Sequence, residues 1–504
     1  MRARGYPLVA IHGSVRAPAL LRSSQVRLPR RSGRARLPTR GGRTTAVHAR
    51  WLDSAAPRLL LLPFLLVCAG AWPRPPALSA QGAEAVRAAP APAALQPPQR
   101  YDTLLDLAEK ATRMLTCGGF ANVAAVVEDR RFVVTVENAR YRDERRALRV
   151  AAALLLPVVS PGRELVLINS DRGIPLLIIR YPAPAGTAPH QPPPVPAVAL
   201  DVSGLPPALR SAPRANSSFG RVDVILHPWF EARYGDYDEP VRSRTGVAPE
   251  LRVALRPGLV AAAQVLVAVQ DELHPEQRRI RPVLATVSQT VRLPQNVFVS
   301  AAAGAFRRDR YGADVEVRAY LGDGRWVAGG EAGLTGAVSY GRDRWRFSAM
   351  EEPTALVELA HRNVRYGLTL RATAGAFLAD YRGVRLEAVR QFGELEVGWF
   401  ALRSSLGSNA GVTLRIPLPP ATRSHTGPVR IRMADAFVWE YRYQELEPGG
   451  RRYDAGGALE ALNGRLDPDR LMGKPGFVGR GTTEPCALER SGPRARNRGE
   501  TDHV

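Results

Sequence analysis

Between residues 222 and 417 the chain breaks repeatedly into segments of about ten residues in which apolar and polar side chains alternate. Gly, Asp, Asn, Pro and Arg separate the segments. Within 311–321, Tyr311, Ala313, Val315, Val317, Ala319 and Leu321 share one phase, and Gly312, Asp314, Glu316, Arg318 and Tyr320 the other. Every charge therefore lies on one face. Residues 365–378 repeat the pattern, with Tyr366, Leu368 and Leu370 set against Arg365, Thr369 and Arg371. A closed antiparallel β-barrel needs this pattern when one face meets lipid and the other water. A β-sandwich in water also alternates, but its strands usually run to about 5–6 residues, whereas a membrane strand needs about 9–11.

Candidate strands cover 222–234, 250–257, 259–270, 281–292, 296–306, 310–321, 325–340, 344–359, 365–379, 382–391, 395–403, 411–417 and 428–443. Gly322-Asp323-Gly324 and Gly341-Arg342-Asp343 suit tight hairpins between them. Glu351-Glu352-Pro353 predicts a bulge inside 344–359, because Pro cannot join a central ladder. Single-chain bacterial barrels have even strand numbers, so about 12–14 strands are expected over 220–443. Aromatic residues near the predicted strand ends, Trp229, Tyr234, Tyr311, Trp326, Tyr340 and Tyr366 among them, fit interfacial girdles.

A small α+β domain is expected over 101–181. Asp102 or Thr103 can cap a helix that ends at Gly118-Gly119, and Arg145 opens a second helix stopped by Pro157. Apolar strands at 123–127, 131–136, 165–168 and 174–179 complete an αββαββ order. Residues 182–214 are Pro-rich and predict an extended spacer, and 444–504 form a polar C-terminal tail.

The 504 residues carry a formal charge of +23, of which residues 1–80 hold +13 from fourteen Arg against Asp53. Only Lys110 and Lys474 are lysines, a skew that codon usage in a GC-rich genome explains. Acids accompany the remaining arginines, so a nucleic-acid partner is not expected. Residues 59–71 form an apolar run after Arg58, too short to span a bilayer as a helix and laid out like a secretory signal peptide. Residues 1–80 are thus expected to be a cleaved signal behind an over-extended start, and the mature chain to reach a Gram-negative outer membrane.

Two stretches carry a family resemblance. Gly119-Phe120-Ala121-Asn122-Val123 is followed by Val136-Glu137-Asn138-Ala139-Arg140-Tyr141-Arg142, and Arg390-Gln391-Phe392-Gly393-Glu394-Leu395-Glu396-Val397-Gly398-Trp399-Phe400 by Gly411-Val412-Thr413-Leu414-Arg415-Ile416-Pro417-Leu418. Together, in this order, they resemble YjbH-type outer-membrane proteins of exopolysaccharide biosynthesis. The resemblance implies a part in polysaccharide production or export, periplasmic partners from the synthesis or export machinery, and no catalytic residues.

Metal, cofactor and nucleophile motifs are not found, since Cys68, Cys117 and Cys486 lie far apart and the histidines are scattered. Asp236, Asp238 and Glu239 form an acidic loop that reads as a solvated turn rather than a calcium site. His227 shares its polar phase with Asp223 and Glu231 and reads as part of an inward polar ladder. The functional candidates are the other inward charges, Asp314, Glu316, Arg318, Glu331, Arg371, Arg385 and Glu387, expected to line a lumen. There they either meet sugar hydroxyls and carboxylates or pair with one another and plug it. The expected function is a non-enzymatic barrel assisting exopolysaccharide secretion. The alternatives are a plugged adaptor barrel and a periplasmic carbohydrate-active β-protein.

Overall fold

The computed structural model describes residues 104–183, 196–234, 241–442, 452–456, 459–468 and 471. The chain is mainly β, with two sheets and few helices. The signal-like segment, the acidic loop and the capping positions Asp102 and Thr103 lie outside the described residues.

The first unit follows the expected order. Helix α1 (Leu104–Gly118) buries Leu107, Ala111 and Leu115, spaced by four, and stops at Gly119 in a positive-φ conformation. Strands β1 (Phe120–Val127) and β2 (Arg131–Asn138) pair antiparallel. Helix α2 (Glu144–Leu155), capped by the Asp143 carboxylate on the Arg145 amide, crosses over to β3 (Glu164–Asp171), which therefore runs parallel to β2. β4 (Ile174–Tyr181) closes a hairpin on β3. The Pro-rich connection is only partly a spacer: Ala197–Ala199 adds β5 to this sheet, Ala208–Ser211 forms a helical turn, and Ala215 bridges to Val123.

The second sheet begins with β6 (Val222–Tyr234), β7 (Val241–Arg256), β8 (Leu259–Asp271), β9 (Ile280–Leu293), β10 (Val297–Phe306), β11 (Arg310–Leu321) and β12 (Trp326–Tyr340). It continues through β14 (Glu352–Asn363), β15 (Leu368–Ala376), β16 (Arg382–Phe392), β17 (Leu395–Ser404) and β18 (Gly407–Pro417), each antiparallel to its neighbour. The stub β13 (Trp345–Phe347) pairs only with β12. The expected single strand 344–359 is thus two, and Pro353 makes no bulge. It pairs in register with Leu334, while β15 on the other side first pairs at Ala355, so the missing N–H interrupts no ladder. β7 starts nine residues earlier than its pattern suggested, through a stretch with polar residues in both phases, Arg242 and Arg244 in one and Ser243 and Thr245 in the other.

The ladder holds fourteen strands among the described residues, within the expected 12–14, but its last segment departs from the expected all-antiparallel pairing. β19 (Val429–Met433) runs parallel to β6, and β20 (Ala436–Arg442), only two residues later, runs antiparallel to β18. One segment thus touches both ends of the ladder, and Tyr234 of β6 and Tyr441 of β20 meet with ring centroids 5.5 Å apart. A parallel contact here is what an odd number of long segments requires. β19 and β20 do not pair with each other, so the hydrogen-bonded ladder is not a continuous ring.

Burial in this sheet is inverted. Along β14, Thr354, Leu356, Glu358 and Ala360 are buried, while Ala355, Val357 and Leu359 are exposed. Val357 is 64% exposed, Leu386 55% and Trp399 51%, whereas Arg318 and Glu250 on the polar phase are 3% and 0% exposed. The apolar side faces outward along β9, β11, β14 and β16, whereas β17 buries Phe400 and Leu402 and exposes Trp399 and Arg403. No described helix is long and apolar enough to cross a membrane.

The two ends of the sheet differ. At one end the β7–β8, β9–β10, β11–β12, β14–β15 and β16–β17 links have two to four residues. At the other, β6–β7, β8–β9, β12–β14 and β15–β16 have six, eight, eleven and five, while β10–β11 and β17–β18 have three and two; the first end also carries the eleven-residue link from β18 to residue 429. The α+β unit docks on the short-turn end. Arg292 donates to the carbonyls of Pro175, Leu176 and Leu200, and Arg142 forms a two-pronged pair with Glu394 at 2.7 and 2.9 Å and also donates to the Leu418 carbonyl.

Candidate functional site on the polar face

Strand alternation puts the inward charges in rows, and register decides which of them meet. Arg371 lies directly opposite Glu387. Arg318, Gly329 and Glu358 form one row across β11, β12 and β14, and the glycine leaves the row open for the guanidinium to cross. Arg318 donates to Glu316 at 2.5 Å and to Glu358 at 2.8 Å. Arg371 stands 3.6 Å from Glu358 and 3.2 Å from Glu387, and Arg385 reaches Glu387 at 2.7 Å and Glu440 at 2.9 Å. Arg442 completes the belt on Glu440 at 2.5 Å. Positive and negative groups alternate along it, so each charge is offset by neighbours of opposite sign.

A second cluster lies beyond it. Glu250, fully buried, is 3.0 Å from His227 Nε2 and pairs with Arg252 and Arg307 at 2.6 and 3.2 Å. His227 therefore takes part in a polar ladder, as its phase suggested, with Glu250 as its partner.

Asp314 and Glu331 face the C-terminal tail. Tyr453 places its hydroxyl 2.6 Å from Asp314 and 3.1 Å from Thr354, over the row Asp314, Gly333, Thr354. A Cβ on Gly333 would sit 1.8 Å from that oxygen, so the tyrosine fits only because the residue beneath has no side chain. The ring stacks on Phe306, Arg452 pairs with Glu331, and Asp454 pairs with Arg307 at 2.6 Å. Further along, Asn463 accepts from Tyr320, Asp467 pairs with Arg362, and Arg465 pairs with Asp171 of the α+β unit. Residues 452–456 and 459–468 thus lie along the polar face, the first group toward the β10–β11 link and the second toward the end that carries the α+β unit. Burial alone would raise the Asp171 carboxyl, but Arg465 and Arg172 hold it below the usual carboxylate range.

All seven sequence-predicted residues are thus in ion pairs or hydrogen bonds on one face. Sequence reasoning missed Glu358, Glu440, Arg442 and Tyr453. The polar-phase glycines 329 and 333 were the available signal, since glycine inside a strand often marks a close approach. Among the described residues no group of His, Cys, Asp and Glu is arranged to hold a metal ion. The arrangement braces strands and fills the space above them.

The two stretches that carry the family resemblance meet in space. Asn122 donates to Glu137 at 2.8 Å, Asn138 to the Tyr141 carbonyl at 2.8 Å, and Arg142 of the first stretch pairs with Glu394 and binds Leu418 of the second. No protein-family model, curated protein or solved structure matches this chain.

Proposed function

We propose that the large sheet is the wall of a β-barrel in the outer membrane, held shut from within, and that it anchors the α+β unit as a non-enzymatic accessory of exopolysaccharide production. The inverted burial carries this reading. A sheet in water would leave Val357, Leu386, Trp399 and their row facing solvent while burying Arg318 and Glu358, the costly choice on both faces. In lipid the same pattern is the favourable one. The segment 429–442, which contacts both ends of the ladder, supports closure of the wall. The three longest links between neighbouring hairpin strands, β6–β7, β8–β9 and β12–β14, share one end, which fits the extracellular end of such barrels, with the α+β unit on the periplasmic side.

The ion-pair belt and residues 452–456 and 459–468 favour the plugged adaptor over the open exporter, because they occupy the face a passing polymer would use. The polysaccharide role rests on the family resemblance, to which the contact between its two stretches lends physical coherence.

Cell fractionation with a heat-modifiable gel shift tests the barrel, and planar-bilayer recordings test the plug. Membrane recovery, a mobility shift on heating and a silent bilayer are expected. Recovery in the soluble periplasm without a shift would sink the proposal, and steady conductance would return the open exporter to first place.

A further inference from the structure

Where the α+β unit meets the short-turn end of the sheet, a cavity of about 150 Å³ lies between β2, the starts of β6 and β19, the end of β7 and the tail. That is about ten times the space one water needs. Seven arginines line it against four carboxylates, an excess of three positive charges. Three of the carboxylates are already engaged: Asp223 by Arg430 at 2.6 Å, Asp435 by Arg423, and Asp171 by Arg465. Arg432 shares two of those acids, at 3.3 Å from Asp435 and 3.9 Å from Asp223. Arg221 donates from Nη2 to the Asn216 side-chain Oδ1, and its Nη1 is buried without a hydrogen-bond partner. The Nε of Arg423, whose side chain is 8% exposed, is likewise buried and unpartnered.

Buried guanidinium groups left without acceptors are costly, and a multivalent anion is the ligand that would satisfy them. The local potential registers elsewhere too. Burial, followed by Arg140, Arg430 and Arg221, pushes the nearby His425 imidazole below its ordinary value, and burial followed by Arg430 lowers the Arg221 guanidinium. A second cavity of about 230 Å³ shares Arg423, Ser424, Arg432 and Asp435 with the first and is lined besides by Arg142, Thr422 and the apolar Leu226, Pro420, Ile431, Met433 and Ala434. A charged chamber thus opens beside a partly apolar one. This charge excess is present whether or not the sheet lies in lipid.

We propose that the arginine-lined cavity binds a phosphate-type oxyanion, either free in solution or as the headgroup of an amphiphile whose apolar part enters the adjoining chamber. The full chain in a non-ionic detergent, titrated at constant ionic strength with inorganic phosphate, pyrophosphate or short-chain phosphatidylglycerol, tests this by thermal melting. A saturable rise in Tm is expected from at least one probe and none from short-chain phosphatidylcholine. Response to the soluble anions identifies a free ligand, and response to phosphatidylglycerol alone identifies a headgroup. Arg432→Gln leaves Asp223 and Asp435 paired with Arg430 and Arg423, so the variant keeps its fold, and together with Arg221→Gln it should weaken Kd at least tenfold. Should the double variant not fold, Arg221→Gln alone, which loses only the Asn216 bond, should weaken Kd severalfold. No shift beyond that of chloride at equal ionic strength, or a shift unchanged in the variants, would overturn the proposal.

Discussion

Replacing Val357 by Arg separates lipid from water at a single position. Val357 is the sixth of twelve residues in β14 and 64% exposed, and its neighbours in register are Gly330 and Ala374, so a longer side chain meets no crowding. Five residues at ~3.4 Å each put it ~17 Å along the strand from its start. With a tilt of about 45° that is ~12 Å of depth, close to the middle of an apolar band ~25 Å tall. An arginine there should cost about 2–4 kcal/mol, falling to about 0–1 kcal/mol near an interface. In water, a substitution at so exposed a position stays within about 0.5 kcal/mol. Leu386, in mid-strand on β16, and Leu321, at the end of β11, complete a depth series. Guanidinium unfolding of protein refolded into vesicles should show large losses for Val357→Arg and Leu386→Arg and a small one for Leu321→Arg. Three equally small losses would refute the lipid-facing assignment.

The neighbouring residue should behave in the opposite sense to its exposure: Glu358→Ala strips acceptors from the buried Arg318 and should cost about 3–5 kcal/mol by the same unfolding assay. Gly333→Ala places a methyl where the Tyr453 hydroxyl lies and should release residues 452–456, detected as protease cleavage there while the barrel keeps its heat-modifiable shift. Acid should loosen the tail at its other end. Because Arg465 and Arg172 depress the folded pKa of Asp171, the pair's stabilisation is complete above the ordinary carboxylate value of about 4 and is lost as pH falls through the folded value. Hydrogen-exchange protection at 459–468, taken relative to the intrinsic rate at each pH, should therefore be high at pH 7 and fall below about pH 4, and Asp171→Asn should remove the difference.

The large sheet was legible in the sequence because a sheet with two unlike faces imposes period two on its strands. The phase of 311–321 alone separated Asp314, Glu316 and Arg318 from Val315 and Val317, and burial follows it. Pairing was not legible, because a phase says which face a residue joins and nothing about its opposite number. Only the register that aligns Arg318, Gly329 and Glu358 shows that a charge on β11 is met two strands away. The strand count fell within the expected range, but the pairing did not follow, because the even-number rule assumes antiparallel contacts throughout, whereas β19 lies parallel to β6. The tail was the largest omission. Residues 452–456 have a composition that reads as solvated, and their order comes from Phe306, Asp314, Thr354 and Arg307, all contributed by distant strands.

The inverted sheet is the central claim, and spin labels placed singly along 313–319 in vesicles test it most directly. Oxygen accessibility should oscillate with period two, high at positions 313, 315, 317 and 319, where a water-soluble nickel relaxant should have no access. High nickel accessibility at positions 315 and 317 would place that face in water and contradict the account.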